Sequence, residues 1–206
     1  MIAQGGIILL TALIWAGVFL HPPLSLFSAH PLLNSSAILL LTESILILQP
    51  THTTAQKRQG TLIHFFTNMV ALDLMIAAFV IIEYNKFSHD AVHFDSVHGK
   101  LGLTTYTLLL IQSTVGFTQY FVPQLYRGID NAKLIYKWHR LSGYVILTMM
   151  LATACAATQT YTGMMTLDIK LWAVLVSSVL ILIGVLPRIK KQKFGLVPKS
   201  SGAFGQ

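Results

Sequence analysis

Four histidines carry the chemistry open to this sequence. They stand in SAHPLLN (His30), LIHFFTN (His64), SVHGKLG (His98) and KWHRLSG (His139), each near the start of its own apolar stretch. A neutral imidazole offers one ring nitrogen to a metal, while a hydrogen bond to the other fixes the ring. Zinc asks for three or four ligands at one point. No cysteine or carboxylate lies one turn further along from any of the four histidines. What these rings can hold therefore depends on which of them meet.

The elements that position them are read from the apolar pattern. Of 206 residues, 54% are hydrophobic and 10% charged, and the mean hydropathy is +0.66. That charge is about half of what a soluble domain carries, too little to build a polar shell. Six apolar stretches run over roughly 2–20, 30–48, 61–83, 98–121, 139–160 and 169–187. As a helix, each is long enough to cross a hydrocarbon core of about 30 Å, and a backbone in lipid must bond internally. Short connections favour an up-and-down bundle. The expected fold is an all-α membrane protein of one domain with six transmembrane helices and a tail at 188–206. Its second to fifth helices form a central four-helix bundle around the histidines. The first stretch lacks the basic start and small-residue cleavage site of a signal peptide and is kept as a helix, with no longer arm ahead of it. Cys155 is the one cysteine, so no internal disulfide can form.

Six crossings would place both termini on one face. That face collects Lys57, Arg58, Arg127, Lys133, Lys137, Arg140, Arg188, Lys190, Lys191, Lys193 and Lys199, while the other has Lys86, Lys100 and Lys170. Eleven against three makes the first face cytoplasmic. The net charge of +7 then needs no nucleic-acid partner; topology and attraction to anionic lipid account for it. Helix direction sorts the histidines in turn. His30 and His98 fall at the non-cytosolic face, and His64 and His139 at the cytosolic face.

Two facing imidazoles suit a haem iron, which takes axial ligands from opposite sides. Gly102 and Gly143 lie four residues past His98 and His139, on the same helix face, and open room for a flat macrocycle. Asn34 and Asn68 stand at the same offset from His30 and His64, where they can bond a propionate or a backbone group. Gly116, eighteen residues past His98, returns to that face and makes room for a second haem. The two irons would lie about 20 Å apart. The competing reading is a histidine-lined metal-ion transporter without haem, whose ligands would gather near the midplane. Two carboxylates fall well inside apolar stretches, away from their ends, Glu43 and Asp73. Both are read as hydrogen-bonded structural groups, with a proton role as the second reading.

FSAHPLL (Phe27 to Leu33), LLTESIL (Leu40 to Leu46), HFDSVHGKLG (His93 to Gly102) and KWHRLSGY (Lys137 to Tyr144) together resemble the cytochrome b561 family, in its short single-domain branch. The resemblance spans nearly the whole chain. It implies a homodimer with two haem b groups per chain, one held by His30 and His98 and one by His64 and His139. It also implies an ascorbate-dependent transmembrane oxidoreductase, passing electrons from cytosolic ascorbate to ferric chelate or monodehydroascorbate. Lys57, Arg58, Lys133, Lys137 and Arg140 flank the cytosolic pair and would draw in the ascorbate anion. By the same resemblance His93 and Phe94 are contacts for the outer substrate. The membrane would be that of the endoplasmic reticulum, a vesicle or the vacuole, or the plasma membrane. Two positions depart from the family's pattern: Asp73 stands where an apolar residue is usual, and Leu62 where a lysine often stands.

Overall fold

The computed structural model describes residues 1–188. Lys190, Lys191, Lys193 and Lys199 of the expected tail, and the side chain of Arg188, lie outside the described residues. Within them the regular structure is all helical. The elements are α1 (Ile2–Phe19), α2 (Leu26–Leu48), α3 (Thr54–Ser88), α4 (Val97–Phe121), α5 (Ile129–Ala157) and α6 (Leu171–Val185). Short 3-10 turns occupy Pro123–Tyr126 and Leu186–Arg188, and a π turn occupies Thr162–Thr166.

Three helices start ahead of their expected limits. α2 begins at Leu26, so His30 sits a turn inside it. α3 begins at Thr54 and α5 at Ile129, so His64 and His139 each lie ten residues in. The added turns are polar but helical. Thr53 Oγ1 accepts the Gln56 N–H while Gln56 Oε1 accepts the Thr53 N–H, a reciprocal cap. α5 starts after Arg127 and Gly128, both at positive φ, and its first turns, IDNAKLIYK, mix charge with apolar residues. Hydropathy alone does not register such turns. Only His98 stands in a first turn, where Ser96 Oγ caps α4 by accepting the Gly99 N–H.

By length and composition four helices can cross a membrane, α1, α2, α3 and α5, against the six expected. α4 has 25 residues but is rich in threonine and glutamine. The hydroxyls of Thr104, Thr105, Thr107, Thr114 and Thr118 each donate to a carbonyl one turn back, which hides them from an apolar solvent. α6 has 15 residues, about 22 Å of rise, so it is short rather than polar.

α1 packs on α6 and α2, α2 runs along α3, and α4 runs along α5. The α1–α6 contact brings backbones together. A Cβ on Gly6 would lie 2.9 Å from the Ile181 nitrogen, and one on Gly184 would overlap the Ala3 backbone. Small residues are what let membrane helices meet this closely. Ile7, Leu10, Ala37, Leu41, Ala71, Leu147, Leu151 and Ile181 form the core. Phe66, Val80, Leu110, Phe117, Val145 and Trp172 face outward, exposed. A soluble protein avoids such a surface; lipid covers it.

Candidate functional site

His30 on α2 and His98 on α4 face each other. Their ring centres are 6.2 Å apart and their planes cross at 86°. Towards the other end of the bundle stand His64 on α3 and His139 on α5. The helices thus carry the four rings in two layers, two to a layer.

Each layer is held from the neighbouring helix. His30 Nδ1 lies 3.0 Å from the Ala78 carbonyl on α3, His64 Nδ1 3.0 Å from the Ser44 carbonyl on α2, and His98 Nδ1 3.0 Å from the Thr153 carbonyl on α5. A carbonyl only accepts, so these three rings carry their proton on Nδ1 and present Nε2 as a free lone pair. The acceptors follow a register. Ser44 is fourteen residues past His30, Ala78 fourteen past His64 and Thr153 fourteen past His139. Fourteen residues is close to four turns, so histidine and carbonyl share a helix face and the layers lie about 21 Å apart. On α4 the matching position is Gln112, fourteen past His98. There the pattern breaks. His139 Nδ1 is buried with no partner among the described residues. Instead the Gln112 side chain donates to the His139 carbonyl at 2.7 Å and accepts from Ser142 Oγ at 2.7 Å.

The first layer can be tested for fit. An imidazole nitrogen binds a first-row metal at about 2.0 Å and its ring centre lies about 1.1 Å behind it, so two rings across one ion have centres about 6.2 Å apart. The 6.2 Å of His30 and His98 meets that demand. A cavity of about 550 Å³ opens beside the two rings, lined also by Asn34, Gly102 and Tyr106, with Glu83, Lys86 and Phe94 at its edge. Among the described residues no three His, Cys, Asp or Glu side chains gather to hold a free metal ion. The donor set is therefore two imidazoles per layer, which suits a macrocycle that fills the equatorial positions itself.

The remaining expected residues are placed as follows. Asn34 donates to the His30 carbonyl at 2.9 Å and accepts from Tyr106 Oη at 2.7 Å. Asn68 donates to the His64 carbonyl at 2.5 Å and accepts from Ser44 Oγ at 3.2 Å. Of the two roles open to these amides, both make the backbone bond. A Cβ on Gly102 would meet only Thr153 Cγ2, at 3.8 Å, and one on Gly143 would meet the Gln112 amide at 3.2 Å. At Gly116 it would come within 2.8 Å of His139 Cε1. The space that glycine leaves is taken by the imidazole, where the sequence suggested a macrocycle. Lys57 and Arg58 are exposed on the first turns of α3. Lys133 pairs with Asp130 at 3.2 Å, Lys137 lies 5.3 Å from the Trp138 ring centre, and Arg140 is half-buried next to His139. Glu43 accepts from the Gln4 amide at 3.3 Å.

His93 is joined by a residue the sequence did not single out. Its Nδ1 lies 2.5 Å from Glu83 Oε2. Phe94, at φ 51°, stacks on Phe79, and Lys86 sits over its ring with Nζ 5.8 Å from the centre. Lys86 also donates to the Val92 carbonyl at 3.0 Å. Glu83 and Lys86 are three residues apart at the end of α3, which helical spacing makes visible. That the loop from 89 to 96 folds back onto them is not visible in the sequence. Tyr106 and Gln112 were missed for the same reason, since each acts on a neighbouring helix.

Residues 29–166 match the eukaryotic cytochrome b561 family. The chain belongs to that family. Cytochromes b561 bind haem b, and the matched region contains all four histidines and the three carbonyls that hold His30, His64 and His98. With its apolar helices this cytochrome b561 is a multi-pass membrane protein. Two Zea mays proteins are similar. Ascorbate-specific transmembrane electron transporter 2 is 26% identical over 129 residues, and ascorbate-specific transmembrane electron transporter 1 is 25% identical over 129 residues. Each match covers 63% of this chain and 54% of the relative. The cytochrome b561 chain therefore spans about half the length of the curated relatives it matches.

Proposed function

We propose that this cytochrome b561 passes single electrons across a membrane, from cytosolic ascorbate to ferric chelate or monodehydroascorbate on the other side. Six helices would cross, with both termini cytosolic, in a homodimer of the endoplasmic reticulum, vesicle or vacuole membrane. The observation that carries the reading is the pair of histidine layers, about 21 Å apart along the helices and drawn from four different helices. The names of the maize relatives support ascorbate as the donor.

His30 and His98 would hold one haem b, and His64 and His139 another, and each haem would supply a one-electron iron couple. The rest is done by the chain. The carbonyls of Ala78, Ser44 and Thr153 hold three of the ligand rings in orientation. Arg140, beside His139, joins Lys57, Arg58, Lys133 and Lys137 in giving the cytosolic end a positive potential, which concentrates an anionic donor. At the other end Glu83 takes one ring nitrogen of His93 and leaves Nε2 to meet an acceptor. Lys86 and Phe94 complete that rim.

The test is spectroscopic first. The purified protein, reduced by ascorbate, should show a b-type α-band at two haems per chain. Sealed vesicles loaded with ferric chelate or with monodehydroascorbate should then oxidise it from inside when ascorbate is added outside. A colourless protein that moves metal ions would favour the histidine-lined transporter.

A further inference from the structure

The outward face of α3 carries one residue that lipid does not accept. Asp73 is exposed and has no hydrogen bond or ion-pair partner among the described residues. It stands nine residues past His64 and five before Ala78, whose carbonyl holds His30. That places it between the two histidine layers, in the middle of the span. Phe66, Val70, Ala77, Val80, Tyr84 and Phe87 share its exposed face. With Asp73 they alternate four and three residues apart over six intervals, the spacing by which one helix lays a continuous seam on another. Ala77, one turn on from Asp73, is small enough for a partner backbone to come close. The exposed threonines of α4 satisfy their hydroxyls on their own helix; Asp73 makes no such bond.

We propose that two copies of this chain meet along this seam, α3 against α3, with the two Asp73 carboxyls hydrogen-bonded to each other. A two-fold axis along the membrane normal sets a residue against itself. A carboxylic acid is both donor and acceptor, so a second Asp73 at the same depth completes the first. Lipid offers neither, and a foreign helix would need a donor of its own at that depth. The alternation of four and three residues matches the shallow left-handed crossing common in membrane bundles. The proposal gives the homodimer of the proposed function its surface and rests on that reading for the dimer.

Single cysteines on a Cys155→Ala background test it in native membranes. Val70→Cys and Ala77→Cys should form disulfide-linked dimers on oxidation, and Ile111→Cys and Val176→Cys, on the outward faces of α4 and α6, should not. Asp73→Leu should weaken the dimer in detergent by about three- to tenfold, the range of an interhelical hydrogen bond in lipid. Asp73→Asn, whose amide also donates and accepts, should keep it. The haem spectrum should stay unchanged in all variants, which separates loss of the dimer from failure of the electron-transfer reading. If Asp73→Leu loses that spectrum, cross-linking at Val70 and Ala77 decides alone. Cross-links at Ile111 or Val176 in place of the seam, a folded Asp73→Leu protein that dimerises as before, or a monomer throughout would each overturn the proposal.

Discussion

At the His30 and His98 end both Nδ1 atoms rest on carbonyls of the adjacent helix; at the His64 and His139 end only His64 does. A buried donor or acceptor left without a partner costs about 1–3 kcal/mol. An imidazole whose Nδ1–H is bonded is also the better electron donor. His139 is instead fixed from behind. Gln112 grips its main-chain carbonyl, and Gly116 leaves its ring room. The same fourteen-residue register therefore ends in two kinds of support, one directed at the ring and one at the backbone. The layer with the backbone support is the one beside the basic residues of α3 and α5, so its looser ring lies near the expected donor.

The strongest way to break the comparison is to remove ligands one at a time. His30→Ala and His98→Ala should each abolish the same haem, and His64→Ala and His139→Ala the other, leaving about one haem per chain in every case. Haem content and redox titration of the four variants check this. Loss of a single shared potential in His30→Ala and His64→Ala would show that the rings pair otherwise.

Glycine substitutions come next. Gly116→Ala puts a Cβ 2.8 Å from the His139 ring and should empty the His64 and His139 layer while sparing the other. Gly102→Ala meets only an ordinary contact at 3.8 Å and should leave both haems in place. Absorption spectra at equal protein concentration tell the two apart.

A smaller effect concerns rate. Ascorbate reduction from the face bearing Lys57, Arg58, Lys133, Lys137 and Arg140 should slow as salt rises, because exposed charges are screened beyond about 8 Å at physiological ionic strength. Lys57→Gln with Arg58→Gln should slow it further at low salt. Stopped-flow traces from sided vesicles measure both. Equal, salt-independent rates at the two faces would leave these residues a role in orientation alone.

The smallest expected change is Gln112→Leu. It removes the bonds to the His139 carbonyl and to Ser142, at a cost of about 1 kcal/mol. It should shift the electron paramagnetic resonance signal of one layer and leave the signal from His30 and His98 alone. A shift in both would mean that Gln112 acts through the whole bundle.

The helices were legible where composition changes sharply. α4 starts one residue before His98, after a serine cap, as its apolar run suggests. α3 and α5 were misjudged at their starts because TAQKRQ and IDNAKLIYK are helical without being apolar. Asp73, expected as a hydrogen-bonded structural group, faces outward without such a bond among the described residues, because the rotation of α3 about its axis is set by its packing on α2. The Glu83, Lys86 and His93 group was illegible because the chain between α3 and α4 turns back through positive φ at Asp90 and Phe94, and nothing in its composition announces that.

By itself, then, the sequence determined that this chain is helical and apolar, and which helices carry a histidine. Those properties follow from local composition and from the helical period. Helix direction also sorted the histidines into two faces, but only the tertiary structure decided how closely His30 and His98 meet, which nitrogen each ring leaves free, and that among the described residues His139 alone of the four goes without a carbonyl on its ring. A bond from one helix to another depends on their relative depth and rotation, and these are set by the packing of all the helices together.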